Sequence, residues 1–302
     1  MNGFIIVKDF HLNVKEVNLA KNELENLGLD LKVVELDEIR AVFDSDMNKI
    51  NVSGEWVDCP DVIFATLMSE KDFYHYKAVL RMFESLGAIC VNSWESIEKA
   101  VDKLYTFQII RNFISEIKIP KTMLITKNST SEEIQEIINF PLVLKPNSGS
   151  KGSDVVLIET KEELDKILTM LFAGSLDYEL LAQEAIMSSK GRDIRVIVYG
   201  GEVLHSFVRT NDNDFRSNLH QGGRILNFDP PTFLIDASSR ISDIFGLKIC
   251  SIDYLFGETE DEYYLGEVNS FPGFKYLFEA QKTMDTELFN KVNNGIKKIL
   301  KL

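Results

Sequence analysis

The chain has 302 residues, 45% of them hydrophobic and 26% charged, and its 47 acidic and 33 basic side chains give a net charge of −14. That length exceeds what one hydrophobic core usually organises, so two or three lobes are expected. The acidic balance excludes broad nucleic-acid binding, which needs a basic footprint, and no apolar stretch approaches the ~20 residues of a membrane span.

The opening MNGFIIVKDF has too short an apolar run for a signal peptide. Cys59, Cys90 and Cys250 lie far apart in apolar sequence and read as reduced core residues of a cytoplasmic protein. No CxxC or HxxxH spacing suggests zinc.

In chain order, GFIIV (3–7) reads as a strand and 15–27 as a helix with apolar positions at helical spacing before Gly28. LKVVEL, PDVIFATL and AICVN read as further strands, with a helix over 72–86. Strands alternating with helices predict an open α/β lobe with a parallel sheet. It carries no dinucleotide fingerprint and is assigned no cofactor. Asn92, with Glu95 three residues on, reads as a helix N-cap with its box partner. The helical pattern then runs through Ile97, Val101, Leu104 and Ile110 toward Ile119, with Lys103 inside it.

FPLVLKPNSGSKGSDVVLIE reads as strand, loop, strand, the start of a smaller α/β unit. The small residues from Asn147 to Ser153 would let backbone N–H groups cradle phosphate oxygens, although a plain hairpin turn is the competing reading. Lys145 closes an apolar strand and would be an uncompensated buried charge unless an anion meets it. The loop is not a Walker sequence. A helix over 161–172 and the strand YELLAQEAI follow. DIRVIVYGGEVLHSFVR reads as a hairpin turned at Gly200-Gly201. Alternation puts Asp193 and Arg195 on one face, with Ile194, Val196 and Val198 in the core. NDFRSNLHQGG (213–223) is polar and ends in glycine, a functional type of loop.

A helix over 233–245 precedes two strands joined by an acidic turn, IDYLF and LGEVN, and a last helix starts near Thr286. Glu267 and Asn269 share a strand face, and Asp253 lies in the partner strand. Two carboxylates and an amide converging there suit Mg²⁺; solvated edge carboxylates are the common alternative.

Taken together, DKLYTFQIIRN, QEAI…GRDIRVIVYGGEV, NDFRSNLHQGG and IDYLF…LGEVNSFPGF resemble, in their order, the ATP-grasp ligases, and closely the RimK-type branch of amino-acid (typically glutamate) ligases. The resemblance covers nearly the whole chain. It implies an α/β (α+β) ATP-grasp fold: a pre-ATP-grasp lobe over 1–100, a central lobe over 101–187 and a C-terminal lobe over 188–302, with the nucleotide between two lobes.

Carried over by position, Lys103 would contact the α-phosphate and Lys145 would bridge adenine and phosphate. The loop bearing Ser148, Gly149, Ser150, Lys151 and Gly152 would close on the β- and γ-phosphates. Gln183, Glu184, Ala185 and Ile186 would read the adenine edge, with Asp193 near the nucleotide. Arg216, Ser217 and Asn218 would form the nucleotide-contacting loop, Arg216 and Lys145 serving catalysis. Asp253, Glu267 and Asn269 would hold Mg²⁺, with Mn²⁺ as the alternative ion.

The chain departs from the family at Ser153-Asp154, where a later glycine is common. It departs again in the aromatic run Phe271, Phe274, Tyr276 and Phe278, which enters the acceptor-pocket segment. The implied activity is ADP-forming carboxylate–amine ligation through an acyl phosphate, adding an amino acid such as glutamate to a small molecule or protein tail. The alternatives are a carrier-protein or peptide natural-product acceptor, or a non-catalytic ATP-binding module. The implied partners are an amino acid and a carboxylate acceptor, with no nucleic acid or membrane; relatives are commonly homo-oligomers.

Overall fold

The computed structural model describes residues 1–8, 14–46, 49–66, 72–148, 155–173, 179–217, 223–272 and 286–302. Gly149 to Asp154, Asn218, Phe274, Tyr276 and Phe278, all singled out in the sequence, lie outside the described residues.

The N-terminal lobe begins with β1 (Asn2–Val7), α1 (Val14–Glu25) and β2 (Asp30–Glu35). β3 (Ile39–Arg40), β4 (Lys49–Val52) and β5 (Glu55–Asp58) then form a small antiparallel sheet. Its strands are short and partly polar, so no periodic signal marks this insertion in the sequence. β6 (Val62–Ala65), α2 (Phe73–Ser85) and β7 (Ile89–Val91) complete a parallel sheet in the order β2-β1-β6-β7. β6 is wholly apolar and buried, as a strand covered on both faces requires, whereas the edge strand β2 alternates polar and apolar residues.

The expected long helix is two: α3 (Trp94–Val101) and α4 (Lys103–Phe113). Apolar periodicity runs through the junction, but Asp102 has extended backbone and its carboxylate accepts the Tyr105 N–H at 2.9 Å. Asp102 is therefore an N-cap that starts a new helix. Asn92 is not the cap of α3: Ser93 is, its hydroxyl accepting from the Ser96 N–H at 3.2 Å. The Asn92 side chain is buried against the C-terminal lobe instead.

The central lobe comprises β8 (Thr122–Ile125), α5 (Ser131–Ile137), β9 (Leu142–Pro146), β10 (Val156–Ile158), α6 (Lys161–Ala173) and β11 (Leu180–Glu184). Its sheet is antiparallel, in the order β10-β9-β11-β8. Leu142, Leu144, Leu180 and Ala182 pack against Ile134 of α5 and Leu164 and Leu168 of α6. Alternation leaves Val143, Lys145, Leu181 and Gln183 on the opposite face.

The C-terminal lobe comprises β12 (Arg192–Tyr199), β13 (Glu202–Thr210), β14 (Arg224–Asn227), α7 (Thr232–Phe245), β15 (Ile249–Phe256), β16 (Tyr263–Asn269) and α8 (Thr286–Leu300). The sheet is antiparallel, ordered β14-β13-β12-β15-β16. Ile194, Val196, Val198, Ile252 and Val268 pack on α7 and α4. The other face is divided. At the Gly200-Gly201 end, Ile197, Tyr199 and Phe207 share a core with β1, α1 and α8; the far end carries charge. Among the described residues no helix is long and apolar enough to cross a membrane.

Candidate active site

The charged end of that sheet face is made by two strand irregularities. Counted from Tyr199 opposite Glu202, Asp193 would stand opposite Val208; a register shift between Ile197 and Val198 puts it opposite Arg209. Counted from Tyr254 opposite Leu265, Asp253 would stand opposite Gly266; a shift between Asp253 and Tyr254 puts it opposite Glu267. Bulges re-aim side chains in this way. A Cβ on Gly266 would lie 3.0 Å from the Asp253 carbonyl oxygen, so the smallest residue suits the crowded step.

Asp253, Glu267 and Asn269 are thereby brought onto one face, and the Asn269 amide lies 3.4 Å from Asp253 Oδ2. Asp253 is also the hub of a buried ion network. Arg195 donates to Oδ1 at 2.7 Å and to Oδ2 at 2.6 Å, and Arg209 donates to Oδ2 at 2.8 Å. Arg209 also forks onto Asp193, with its Nε at 2.8 Å. Burial pushes the Asp253 carboxyl up, but the charges of Arg195 and Arg209 outweigh it and hold the pKa below the usual carboxylate range. Burial raises the Asp193 carboxyl, against the pull of Arg209 and the Ser217 hydroxyl.

A carboxylate offers about four acceptor sites, and the two guanidinium groups take three on Asp253, leaving one on Oδ1. Glu267 is partly exposed, with its carboxylate 3.8 Å from Lys103 Nζ. The Asn269 amide nitrogen is the atom that donates to Asp253 Oδ2; with that amide turned to present its oxygen, the remaining lone pair, the open Glu267 carboxylate and the amide oxygen would make an all-oxygen set of the kind a hard divalent cation takes. Among the described residues no group of three or more His, Cys, Asp or Glu side chains could hold a metal; this set has only two carboxylates.

The central lobe and α4 supply the cations. The split at Asp102 puts Lys103 at the first position of α4, not within a helix. Its backbone N–H donates to the Asn147 carbonyl at 3.1 Å, and its Nζ lies 3.5 Å from the same oxygen. Asn147 Oδ1 accepts the Leu104 N–H at 3.0 Å, and its amide donates to Glu179 at 3.1 Å. Asn147 thus ties the start of the glycine-rich loop to the N-terminus of α4. Asn147 and Asp102 take the first N–H groups of α4, so the group left here to meet an anion is the Lys103 ammonium.

Lys145 is buried, with Nζ 5.6 Å from the centre of the Phe107 ring. Burial, then the charge of Lys103, lowers its pKa to about 8, with Glu267 opposing. Ser148 follows Asn147 at the edge of the described loop. Gln183 is buried and donates to Thr122 at 2.7 Å, Glu184 accepts the Lys121 N–H at 3.2 Å, and Ala185 donates to the Pro141 carbonyl at 3.3 Å. Ile186 ends this crossing between lobes, ahead of the 3₁₀ turn at Met187–Ser189.

Arg216 lies in the loop after β13. It forks onto Asp214 at 3.0 and 2.8 Å and lies over Phe215. Its loop is anchored at Gly191, whose φ of +71° and 2.5 Å Cβ approach to the Asn211 carbonyl oxygen restrict the position to glycine. Among the described residues of this loop, Ser217 reaches the network through Asp193. Sequence reasoning missed Arg209, since counting from the glycine turn puts it on the core side.

A profile of the RimK-like ATP-grasp domain matches residues 100–295. A protein named probable alpha-L-glutamate ligase from Maridesulfovibrio salexigens is 33% identical over 247 residues, covering 81% of this chain and 79% of its own. Among solved structures, the ATP-grasp ligase PsnB complexed with a minimal precursor superposes with a TM-score of 0.72 at 18% identity, covering 98% of both chains. D-alanine–D-alanine ligase from Bacillus anthracis, complexed with ATP, superposes with a TM-score of 0.69 at 19% identity, covering 100% of this chain and 98% of that one. The chain has the ATP-grasp fold, and with a matched domain over residues 100–295 it belongs to the RimK-like ATP-grasp family of ligases.

Proposed function

We propose that the chain is an ATP-dependent, ADP-forming carboxylate–amine ligase acting in the cytoplasm, adding an amino acid such as glutamate to a small molecule or protein tail. The chain divides, in this reading, at about residues 100 and 187 into pre-ATP-grasp, central and C-terminal lobes. One observation carries it: the cationic pair Lys103 and Lys145 faces a carboxylate array across 3.8 Å, between Lys103 and Glu267. Lysines on one side and hard-cation donors on the other suit a polyphosphate with its metal, where catalysis rests on positioning and charge neutralisation.

Asp253, Glu267 and Asn269 would hold Mg²⁺, or Mn²⁺ in its place. When bound, the cation supplies charge neutralisation and alignment of phosphate oxygens. Lys145 and Lys103 would grip the nucleotide phosphates, and Gln183 to Ile186 would line the adenine. Arg209 and Arg195 put fixed positive charge beside the reacting centre, with Arg216 swinging off Asp214 to join them; losing one such group costs about 10²–10³-fold in rate. The acceptor carboxylate attacks the γ-phosphorus and ADP leaves. The amine then attacks the resulting acyl phosphate, and inorganic phosphate leaves as the amide forms.

The test incubates the protein with Mg·ATP, pooled amino acids and candidate carboxylates, peptides among them, following phosphate and product mass. Substrate-stimulated phosphate release that is lost in Glu267→Gln supports the reading. Nucleotide binding without such release would leave a binding module. Glu267→Gln is a cleaner probe than Asp253→Asn, because Asp253 also neutralises two buried arginines.

A further inference from the structure

We propose that Asn92, in the N-terminal lobe, is a positioning residue for the cation site: its side-chain amide fixes the point at which β16 leaves the sheet behind Asn269. The inference rests on the reading of Asn269 as a cation ligand. Asn92 follows β7 and is 1% exposed. Its amide nitrogen donates to the Ile249 carbonyl at 2.6 Å and to the Ser270 carbonyl. Its oxygen accepts from the Lys248 N–H at 2.7 Å and the Ile249 N–H at 3.1 Å. An asparagine amide has two donors and two acceptor lone pairs, and all four are used across the lobe boundary.

The ladder explains why that matters. Ile249 pairs with Tyr199 on the β12 side, whereas on the β16 side the pairing ends two residues earlier, with Ser251 opposite Asn269. Asn92 presents to Ile249 the N–H and C=O that a further strand residue would present. The same amide also holds the Ser270 carbonyl, in the residue directly after Asn269. A side chain from another lobe therefore sets where the last strand stops and how the Asn269 backbone is held. Two other bonds cross the boundary without touching Ser270: Ser96 Oγ to the Gly246 carbonyl at 2.8 Å, and Lys248 Nζ to the Cys90 carbonyl at 2.9 Å. They separate lobe attachment from positioning of the strand end.

The experiment titrates ATP into the full chain by calorimetry, in EDTA and over a series of Mg²⁺ concentrations, for wild type, Asn92→Asp, Asn92→Ser and Ser96→Ala. Asn92→Asp keeps size and acceptors but sets a carboxylate against two carbonyls. The expected result is that the gain in ATP affinity on adding Mg²⁺ falls about tenfold in both Asn92 variants, the scale seen when groups supporting a metal ligand are removed. Affinity in EDTA should stay within about twofold, and Ser96→Ala should match wild type throughout. The proposal is overturned if folded Asn92 variants keep the wild-type Mg²⁺ gain, if Ser96→Ala loses it equally, or if both Asn92 variants fail to fold while Ser96→Ala folds. A wild-type protein with no Mg²⁺ gain would instead remove the cation reading itself, and this inference with it.

Discussion

Replacing Lys145 by methionine should stabilise the nucleotide-free protein while disabling it. Burial and the neighbouring Lys103 lower the Lys145 pKa from its ordinary 10.5 to about 8, and Glu267 offsets this only in part. At about 1.36 kcal/mol per pH unit, that drop corresponds to roughly 3 kcal/mol. Between about pH 8 and 10.5 the unfolded chain binds the proton that the folded chain has released, so stability rises with pH across this window. Below pH 8 both states are protonated and the full cost is present. Lys145→Met, of similar length and without charge, removes it. At about 2.1 cal/mol/K of unfolding entropy per residue, each kcal/mol shifts the midpoint of a 302-residue chain by about 1.6 °C, so the variant should melt about 5 °C above wild type at pH 7. The two should converge near pH 10.5. Added Mg·ATP should raise the wild-type melting temperature, as a ligand of the native state does, and leave the variant unmoved. Thermal melts at both pH values, with and without nucleotide, supply the readout. A variant less stable than wild type at pH 7, or a gap of equal size at pH 10.5, would refute the argument that Lys145 is held charged against its surroundings.

Two other changes probe the supports of the site. Arg209→Met leaves Asp193 and part of Asp253 buried without their shared cation, and should cost about 3–5 kcal/mol in urea unfolding; adding Asp193→Asn should recover part of that loss. Asp102→Ala removes the cap that separates α4 from α3. It should cost about 1 kcal/mol and weaken ATP binding, measured by calorimetry, because Lys103 then loses its place at a helix start.

The alternation in DIRVIV and GEVN was enough to put Asp193 with Arg195, and Glu267 with Asn269, on their faces, because one side of each strand is strictly apolar. The parallel N-terminal sheet was equally legible from its apolar runs. What stayed hidden depends on tertiary context. The register shift in the β12–β13 hairpin reverses the side on which Arg209 falls, and nothing local in VLHSFVR announces it. Asp102 interrupts a helix whose apolar spacing continues undisturbed, so periodicity alone joined two helices. Asn92 had the local look of a cap, but Ser93 took that role one residue later, and Asn92 satisfied its amide more fully across the lobe boundary. Arg216, prominent in its motif, rests on Asp214, two residues away.

The most direct test of the account is a crystal structure of the full chain with Mg²⁺ and a non-hydrolysable ATP analogue. The account predicts a cation about 2.0–2.1 Å from oxygens of Glu267 and Asn269, with Asp253 contributing Oδ1 and with Lys103 and Lys145 on the phosphates. A cation held elsewhere, with Glu267 turned to solvent and Lys145 distant from every phosphate oxygen, would contradict it.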